Sequence, residues 1–384
     1  MNRPFLFRRG LIGLLVLAAA VSLSIWACSD GTQNQAPNAP DQTAVTQQHV
    51  GGHPELQAVF EIQDRHTPDL MAIQHVVGTA TSKNENGDLV IKVYTEQQLP
   101  VGRLPEFLDG VEVVQVVTGP LRAFRGPPPM GGGNGADHRG IQTPPIQLGT
   151  SGGWRYDLAN GYCCGGTLGS LIQIGSTKYI LSNWHVLYSD IVSGGNNRTA
   201  QPGDAVIQPG LIDVNCSAGS AQNVATLVAN GGSLPGANVD AGIAQIVSGM
   251  VDESGAILEV GTISSSTVAA YIGQPVKKSG RTTGLSRADV DGLNATVSIG
   301  YENECAGGSA FTETYTGQII TTNSRCKFLD GGDSGSLMVE DVTTNPRAVG
   351  LLYAGSVICN KQAVAVANPI GDVLDYFNAS MVGN

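Results

Sequence analysis

From residue 167 onward the chain breaks into short apolar runs separated by Gly, Ser and Asn. The runs lie at 167–174, 178–182, 205–208, 224–228, 241–247, 256–260, 275–279, 295–301, 318–322, 336–340, 348–353 and 363–367. About a dozen strands at this spacing predict barrels or a sandwich. The stretch 369–378 has a different period: an early proline precedes Ile370, Val373, Leu374 and Phe377, which predicts a closing helix.

Upstream, residues 53–124 read as a small α+β unit. Thr67-Pro68-Asp69 predicts a helix start, with Thr67 as N-cap and Pro68 at the first helical position, ahead of Leu70, Met71, Ile73 and Val76. A hairpin follows, with an extended segment through Thr79 and Thr81, a turn at Asn86-Gly87 and a strand at 89–94; a third strand is predicted at 111–117. Residues 29–52 carry almost no large apolar side chain and read as a tether. Residues 125–145, with Pro127, Pro128 and Pro129 before Gly131, Gly132 and Gly133, read as a linker; if the small unit is cut away, the cut is expected here.

The first 28 residues have a basic beginning (Arg3, Arg8, Arg9), an apolar core over 11–25 and the ending Ile25-Trp26-Ala27-Cys28. This predicts an export signal, too short for a stable membrane span. Its end resembles a bacterial lipobox, with Cys28 lipidated as the mature N-terminus. Trp26 departs from that pattern, and simple cleavage leaving a free Cys28 is the alternative. Ser29 after the cysteine points to the outer membrane or cell surface; otherwise the protein is secreted or periplasmic. The net charge of −11 becomes −14 once the three arginines are removed, which argues against nucleic acid or an anionic membrane as partner. Membrane contact would come only through a lipid on Cys28, and a monomer is expected.

Six further cysteines remain, an even number that fits disulfides in an exported chain. Cys163 and Cys164 are expected to have different partners, because neighbours rarely reach bridge geometry. Cys305 with Cys326 is the expected local pair. Neither C-x-x-C nor H-E-x-x-H nor a phosphate loop is present, so no metal and no cofactor is implied.

The chemistry concentrates in Leu329-Asp330-Gly331-Gly332-Asp333-Ser334-Gly335-Ser336. A serine flanked by glycines suits a tight loop that presents a hydroxyl. As a nucleophile, Ser334 needs a histidine to take its proton and an acid to orient that histidine. All six histidines precede Ser334, and only His185 stands in a strongly apolar run. Between them, the stretch 238–244 places Asp240 in another short apolar strand, where an unpaired carboxylate would be costly to bury. Singly, each has a plainer reading as a core histidine, a turn acid or a turn serine.

His185, Asp240 and Gly332-Asp333-Ser334-Gly335 occur in the order found in trypsin-like (chymotrypsin-fold) serine peptidases. The strings at 181–187 (L-S-N-x-H-V-L), 278–284 (K-x-G-R-T-T-G), 332–336 (G-D-S-G-S) and 350–356 (G-L-L-x-A-G-S) resemble a bacterial branch of that family, over roughly 167–377. The resemblance implies a mainly β fold, a double six-stranded β-barrel with a C-terminal helix over 146–384, preceded by the small α+β domain. That domain could be a pro-segment, a recognition module or a spacer. The resemblance also implies a serine endopeptidase acting on polypeptides. His185 would be the base, Asp240 its orienting acid and Ser334 the nucleophile, with Gly332 and Ser334 supplying oxyanion-hole N–H groups. Asp333 would brace the loop, and Lys277, Lys278 and Arg281 receive no catalytic role.

Phe328, six residues before the nucleophile, falls where the family has the base of its primary pocket, and Leu352 falls where glutamate-specific relatives carry a histidine. Neither basic nor glutamate specificity follows, and an apolar or small residue is expected. No Ile-Val-Gly-Gly start is present, so activation must differ or be unnecessary. An α/β-hydrolase is excluded because Ser336 replaces the required glycine and no histidine follows Ser334. Two further readings remain: a surface-binding protein that keeps the peptidase fold without turnover, and a peptidase that cuts only its own linker.

Overall fold

A computed structural model describes residues 54–123, 136–159, 162–188, 198–234, 236–301 and 310–384. The segment 1–28 with Cys28, the tether 29–52, linker residues 125–135 and Cys305 lie outside the described residues.

The first element, α1, runs Pro54–Met71 and corrects the predicted helix start at Thr67. Thr67 and Pro68 stand near the end of α1, and Val76 opens a strand. The stripe that α1 buries is Val59, Gln63, Thr67 and Leu70, half of it polar, so a search for apolar periodicity passes over it. Thr67 turns its hydroxyl back onto Gln63 O at 2.8 Å and so serves the helix from inside rather than capping it. Next come β1 (Val76–Lys83), β2 (Leu89–Thr95), β3 (Val111–Val117) and β4 (Leu121–Ala123). Between β1 and β2, Asn84 Oδ1 accepts the N–H groups of Asn86 and Asp88, and Gly87 takes the left-handed conformation the turn requires.

The first barrel is built from β5 (Thr150–Trp154), β6 (Gly166–Leu168), β7 (Ser170–Ile174), β8 (Thr177–Ser182), β9 (Ala205–Gln208), β10 (Gln222–Gly232) and β11 (Gly242–Ile246). A four-residue helix, α2 (Trp184–Leu187), follows β8. β6 and β7 are two halves of one strand bent at Gly169. The first half pairs with β5 and the second with β8, and the pairs β8–β11, β11–β10, β10–β9 and β9–β5 close a six-membered ring. At the bend Gly169 N donates to Leu181 O, and a Cβ there would run into the carbonyl of Gly335. Sequence pattern missed β5, where Gly152 and Gly153 interrupt the apolar run; a Cβ on Gly152 would strike the Leu168 side chain.

The second barrel uses β12 (Pro275–Lys278), β13 (Ser286–Tyr301), β14 (Phe311–Thr322), β15 (Leu337–Glu340), β16 (Ala348–Ser356) and β17 (Val364–Pro369). Its ring runs β12–β15–β16–β17–β14–β13 and returns to β12. The architecture is therefore mainly β, a double six-stranded barrel. The strand predicted at 256–260 shrinks to Ala256–Ile257, paired with Gly261–Thr262 outside either ring. The closing helix is present as α3 (Ile370–Phe377), and β18 (Ser380–Met381) pairs with β7. Ile370, Val373, Leu374 and Phe377 share one apolar cluster with Ile172 and Leu181 of the first barrel and Leu337 and Leu351 of the second. Burial of that stripe locks the two rings together.

β13 is longer than the barrel needs, and its spare length receives the N-terminal strands. β1 pairs antiparallel with it (Gly78 opposite Val297, Thr81 opposite Leu293) while β2 pairs with β1 and β3 runs parallel to β2. The buried Gln63 of α1 donates to Asn294 O at 2.7 Å and accepts from the Thr81 hydroxyl at 2.7 Å.

Disulfides join Cys163 to Cys216 and Cys326 to Cys359. Cys164 is also disulfide-bonded, so the two adjacent cysteines have different partners. The expected Cys305–Cys326 pair is corrected: Arg325 N donates to Asn360 O at 2.7 Å, which places the 323–326 turn against Cys359. Spatial approach through the fold outweighed nearness along the chain.

Candidate active site

His185 lies in the first turn of α2, directly after β8. Its Nδ1 is 2.6 Å from Asp240 Oδ2, and its backbone N–H donates to Asp240 Oδ1 at 3.3 Å. Asp240 stands just before β11 with its main chain clamped from both barrels. Asn183 and Asn368 donate to Asp240 O at 2.7 and 3.1 Å, and Asp240 N donates to Asn368 Oδ1 at 3.0 Å. Tyr301, at the end of β13, donates its hydroxyl to Asp240 Oδ2 at 2.8 Å. An ionised carboxylate only accepts, so the proton of neutral His185 sits on Nδ1 and Nε2 keeps its lone pair. That Nε2 is buried with no hydrogen-bond partner among the described residues.

Ser334 sits in a turn held by two left-handed glycines, Gly332 and Gly335, each with φ of 93°. Its carbonyl accepts from Thr167 N at 2.8 Å. Gly166 is the close-approach point between the nucleophile turn and the histidine helix. A Cβ there would lie 2.6 Å from the Val186 side chain and 2.9 Å from Ser334 O. The structure brings His185 and Asp240 into direct contact, while the Ser334 hydroxyl donates to Tyr353 O at 3.3 Å and makes no hydrogen bond to His185. Within the turn, the N–H groups of Gly331, Asp333, Gly335 and Ser336 are all engaged. Those of Gly332 and Ser334 donate to no described group. Two N–H groups in one turn are thus open to a further acceptor.

Asp333 braces the turn. It accepts from Thr282 N at 2.8 Å, Thr283 N at 3.2 Å, the Thr283 hydroxyl at 2.8 Å and Asp330 N at 3.1 Å, and it pairs with Lys278 Nζ at 3.0 Å. Lys278 is thus a buried counter-ion that sequence reading passed over. Burial pushes its pKa below the usual lysine range, with the charge of Asp333 opposing that shift. The signal available was a carboxylate next to the nucleophile in a tight glycine turn, costly to bury unless a cation meets it. Arg281 is bound by Asp213, with Nε 2.7 Å from Oδ2, and its N–H donates to Thr167 Oγ1 at 3.0 Å. Lys277 turns to Val342 O. Phe328 and Leu352 are both buried in one apolar cluster of the second barrel, with Val276 and Met338. No group of three or more His, Cys, Asp or Glu among the described residues could hold a metal.

The site is covered. His185 and Ser334 are each 1% exposed and Asp240 is 0% exposed. β4 lies between the strands that carry Tyr301 and Tyr353. Arg122 and Ala123 pair parallel with Gly300 and Tyr301, while Arg122 and Leu121 pair antiparallel with Gly355 and Ser356.

No family model matches the chain. Streptogrisin-A of Streptomyces griseus is 33% identical over 113 residues, which are 29% of this chain and 32% of that protein. The chain thus matches about a third of that relative's length. Among solved structures, a glutamic acid-specific serine protease is similar at a TM-score of 0.41 and 18% identity, over 62% of this chain and 100% of that one. Thermobifida fusca protease A is similar at a TM-score of 0.38 and 21% identity, over 62% and 99%. Two closed six-stranded rings and a C-terminal helix make the trypsin-like serine peptidase fold.

Proposed function

We propose that this protein is an exported serine endopeptidase that hydrolyses peptide bonds through an acyl-enzyme on Ser334. The observation that carries this reading is the His185–Asp240 contact, which leaves Nε2 buried and unpartnered among the described residues, with Gly166 packed between Val186 of the same helix and the Ser334 carbonyl. In this reading the Ser334 hydroxyl exchanges Tyr353 O for Nε2 when substrate binds; catalytic hydrogen bonds are commonly loose beforehand. Ser334 then attacks the substrate carbonyl, His185 takes its proton and passes it to the leaving amine, and Asp240 stabilises the imidazolium. The N–H groups of Gly332 and Ser334 receive the developing oxyanion; one such donor is worth on the order of 10²–10³ in turnover. Water repeats the sequence on the acyl-enzyme. Phe328 and Leu352 pack inside the second barrel, 2% and 0% exposed, and line no open pocket in this covered form; the residue preferred before the cut is, in this reading, apolar or small.

Residues 53–124 act as a pro-segment in this reading, because β4 fills the edge of β16 two residues beyond Tyr353 and meets Tyr301 on the other side. An extended polypeptide substrate needs a free strand edge of this kind. Cutting within 125–145 would release that edge. The leader and Cys28 would carry the protein out of the cytoplasm and anchor it by a lipid.

Fluorophosphonate labelling of the wild type and Ser334→Ala tests the activity. Serine-dependent labelling is expected, and its absence in folded wild type would instead favour the non-catalytic binding protein. Placing a site for a second protease within 125–135 tests the covering. Nicking there should speed labelling, and an unchanged rate would reject the pro-segment. Mass analysis of exported wild type and Ser334→Ala tests self-processing: a linker cut in both is not cut by Ser334.

A further inference from the structure

Asp240 has a third donor besides the two atoms of His185, and that donor is itself bound by another phenol. Tyr301 OH lies 2.8 Å from Asp240 Oδ2 and 2.5 Å from Tyr315 OH. A phenol has one proton. Tyr301 must give it to the carboxylate, which cannot donate, so Tyr315 is the donor in the phenol–phenol bond. The direction of the chain is thereby Tyr315 to Tyr301 to Asp240, along the neighbouring strands β14 and β13.

We propose that Tyr301 and Tyr315 are positioning residues that hold Asp240 in the orientation and charge state His185 requires. This rests on the proposed peptidase reading of the same site. Neither residue touches the reacting atoms; both act through Asp240. The Tyr301 ring is independently fixed, stacked on Phe311 at 4.8 Å and meeting Trp184 and His185 edge-on at 6.2 and 6.0 Å. Removal of its hydroxyl alone therefore leaves the packing in place. The ionisable groups that face the pair are Asp240, His185, Tyr353 and, near Tyr315, Glu313. Burial, with the Asp240 charge adding to it, raises the pKa of both phenols, so both stay protonated donors throughout the working range.

The hydrogen bond from Tyr301 withdraws charge from the carboxylate. Without it, Asp240 pairs more strongly with the imidazolium, and His185 holds its proton to higher pH. Tyr301→Phe and Tyr315→Phe in the full chain test this. For Tyr301→Phe, labelling or peptide hydrolysis should fall about 10- to 100-fold, as expected for one charge-assisted hydrogen bond, through kcat rather than KM. Its acidic limb should move to higher pH. Tyr315→Phe should move the limb the same way by less. The downfield proton resonance of His185 Nδ1 should shift in both variants, an effect that needs no turnover. A wild type without Ser334-dependent labelling would overturn the peptidase reading while leaving the resonance test intact. A folded Tyr301→Phe with an unmoved limb and unmoved resonance would overturn this proposal. Should Tyr301→Phe not fold, an unmoved limb and resonance in Tyr315→Phe would do so.

Discussion

Lys278 Nζ stands 3.0 Å from Asp333 Oδ1, and neither side chain has any exposed surface. Asp333 immediately precedes Ser334, so this ion pair sits behind the turn that offers the Gly332 and Ser334 N–H groups. The charge comes from within a barrel strand, and the turn is braced without a newly cut chain end.

Replacing Lys278 with Met removes the charge at nearly constant length and strands a buried carboxylate. Loss of one partner of a buried pair costs about 3–5 kcal/mol. Chemical denaturation should show a loss of that size, and labelling of Ser334 should fall even at temperatures where the variant is folded. Full labelling in a folded variant would mean that the turn does not depend on the pair.

The same lysine makes a distinct prediction at alkaline pH. Burial sets its folded pKa below that of the unfolded chain, so between the two values the unfolded chain binds the extra proton. Stability from this group alone therefore rises with pH across that window. The brace on Asp333, by contrast, is lost as the ammonium deprotonates. Labelling should decline on the alkaline side below the usual lysine pKa while the denaturation midpoint does not fall with it. Parallel decline of both would point to general unfolding.

Gly169→Ala would push a methyl group into the carbonyl of Gly335, one residue after the nucleophile, at the bend that closes the first barrel. Backbone cannot yield as a flexible side chain does. A loss of about 1–3 kcal/mol is expected, together with slower labelling of Ser334. Wild-type stability and labelling in the variant would show that the bend tolerates a side chain.

The Cys326–Cys359 bridge joins residues 33 apart and ties the approach to Phe328 to the loop after β16. Replacing both with Ser should cost about 2–5 kcal/mol in a chain that otherwise keeps its bridges, measured by thermal unfolding under non-reducing conditions. No change would mean that the barrel alone holds this loop.

Gln63→Ala tests how α1 is attached. It leaves Asn294 O and the Thr81 hydroxyl without their partner inside a closed interface, a cost of about 1–3 kcal/mol. Hydrogen exchange should show faster opening of α1 and β1 before the barrels respond. Uniform change across the chain would instead mean that the N-terminal strands unfold only with the second barrel.

How far the sequence carried the reading depended on how local each feature is. The barrel strands and α3 were legible because alternation and helical spacing are set by neighbours in the chain, as with Ile370, Val373, Leu374 and Phe377. The triad candidates were legible because a flanked serine, a single histidine in an apolar run and an aspartate within an apolar stretch are each unusual where they stand; the structure moves Asp240 just outside the strand it was expected in. α1 was misplaced because half its buried stripe is Gln63 and Thr67, polar groups whose partners lie on other elements, Thr79 on β1 and Asn294 on β13.

What the sequence by itself determined is the inventory: strand periods, residue types suited to nucleophilic chemistry, and cysteines able to form bridges. What only the tertiary structure decided is pairing. Which cysteine meets Cys326, which cation meets Asp333, which phenols reach Asp240 and which strand covers β16 all depend on contacts between segments distant in sequence. Those contacts arise when two sheets close into rings and bury their faces, and no local pattern encodes the distance across a closed ring.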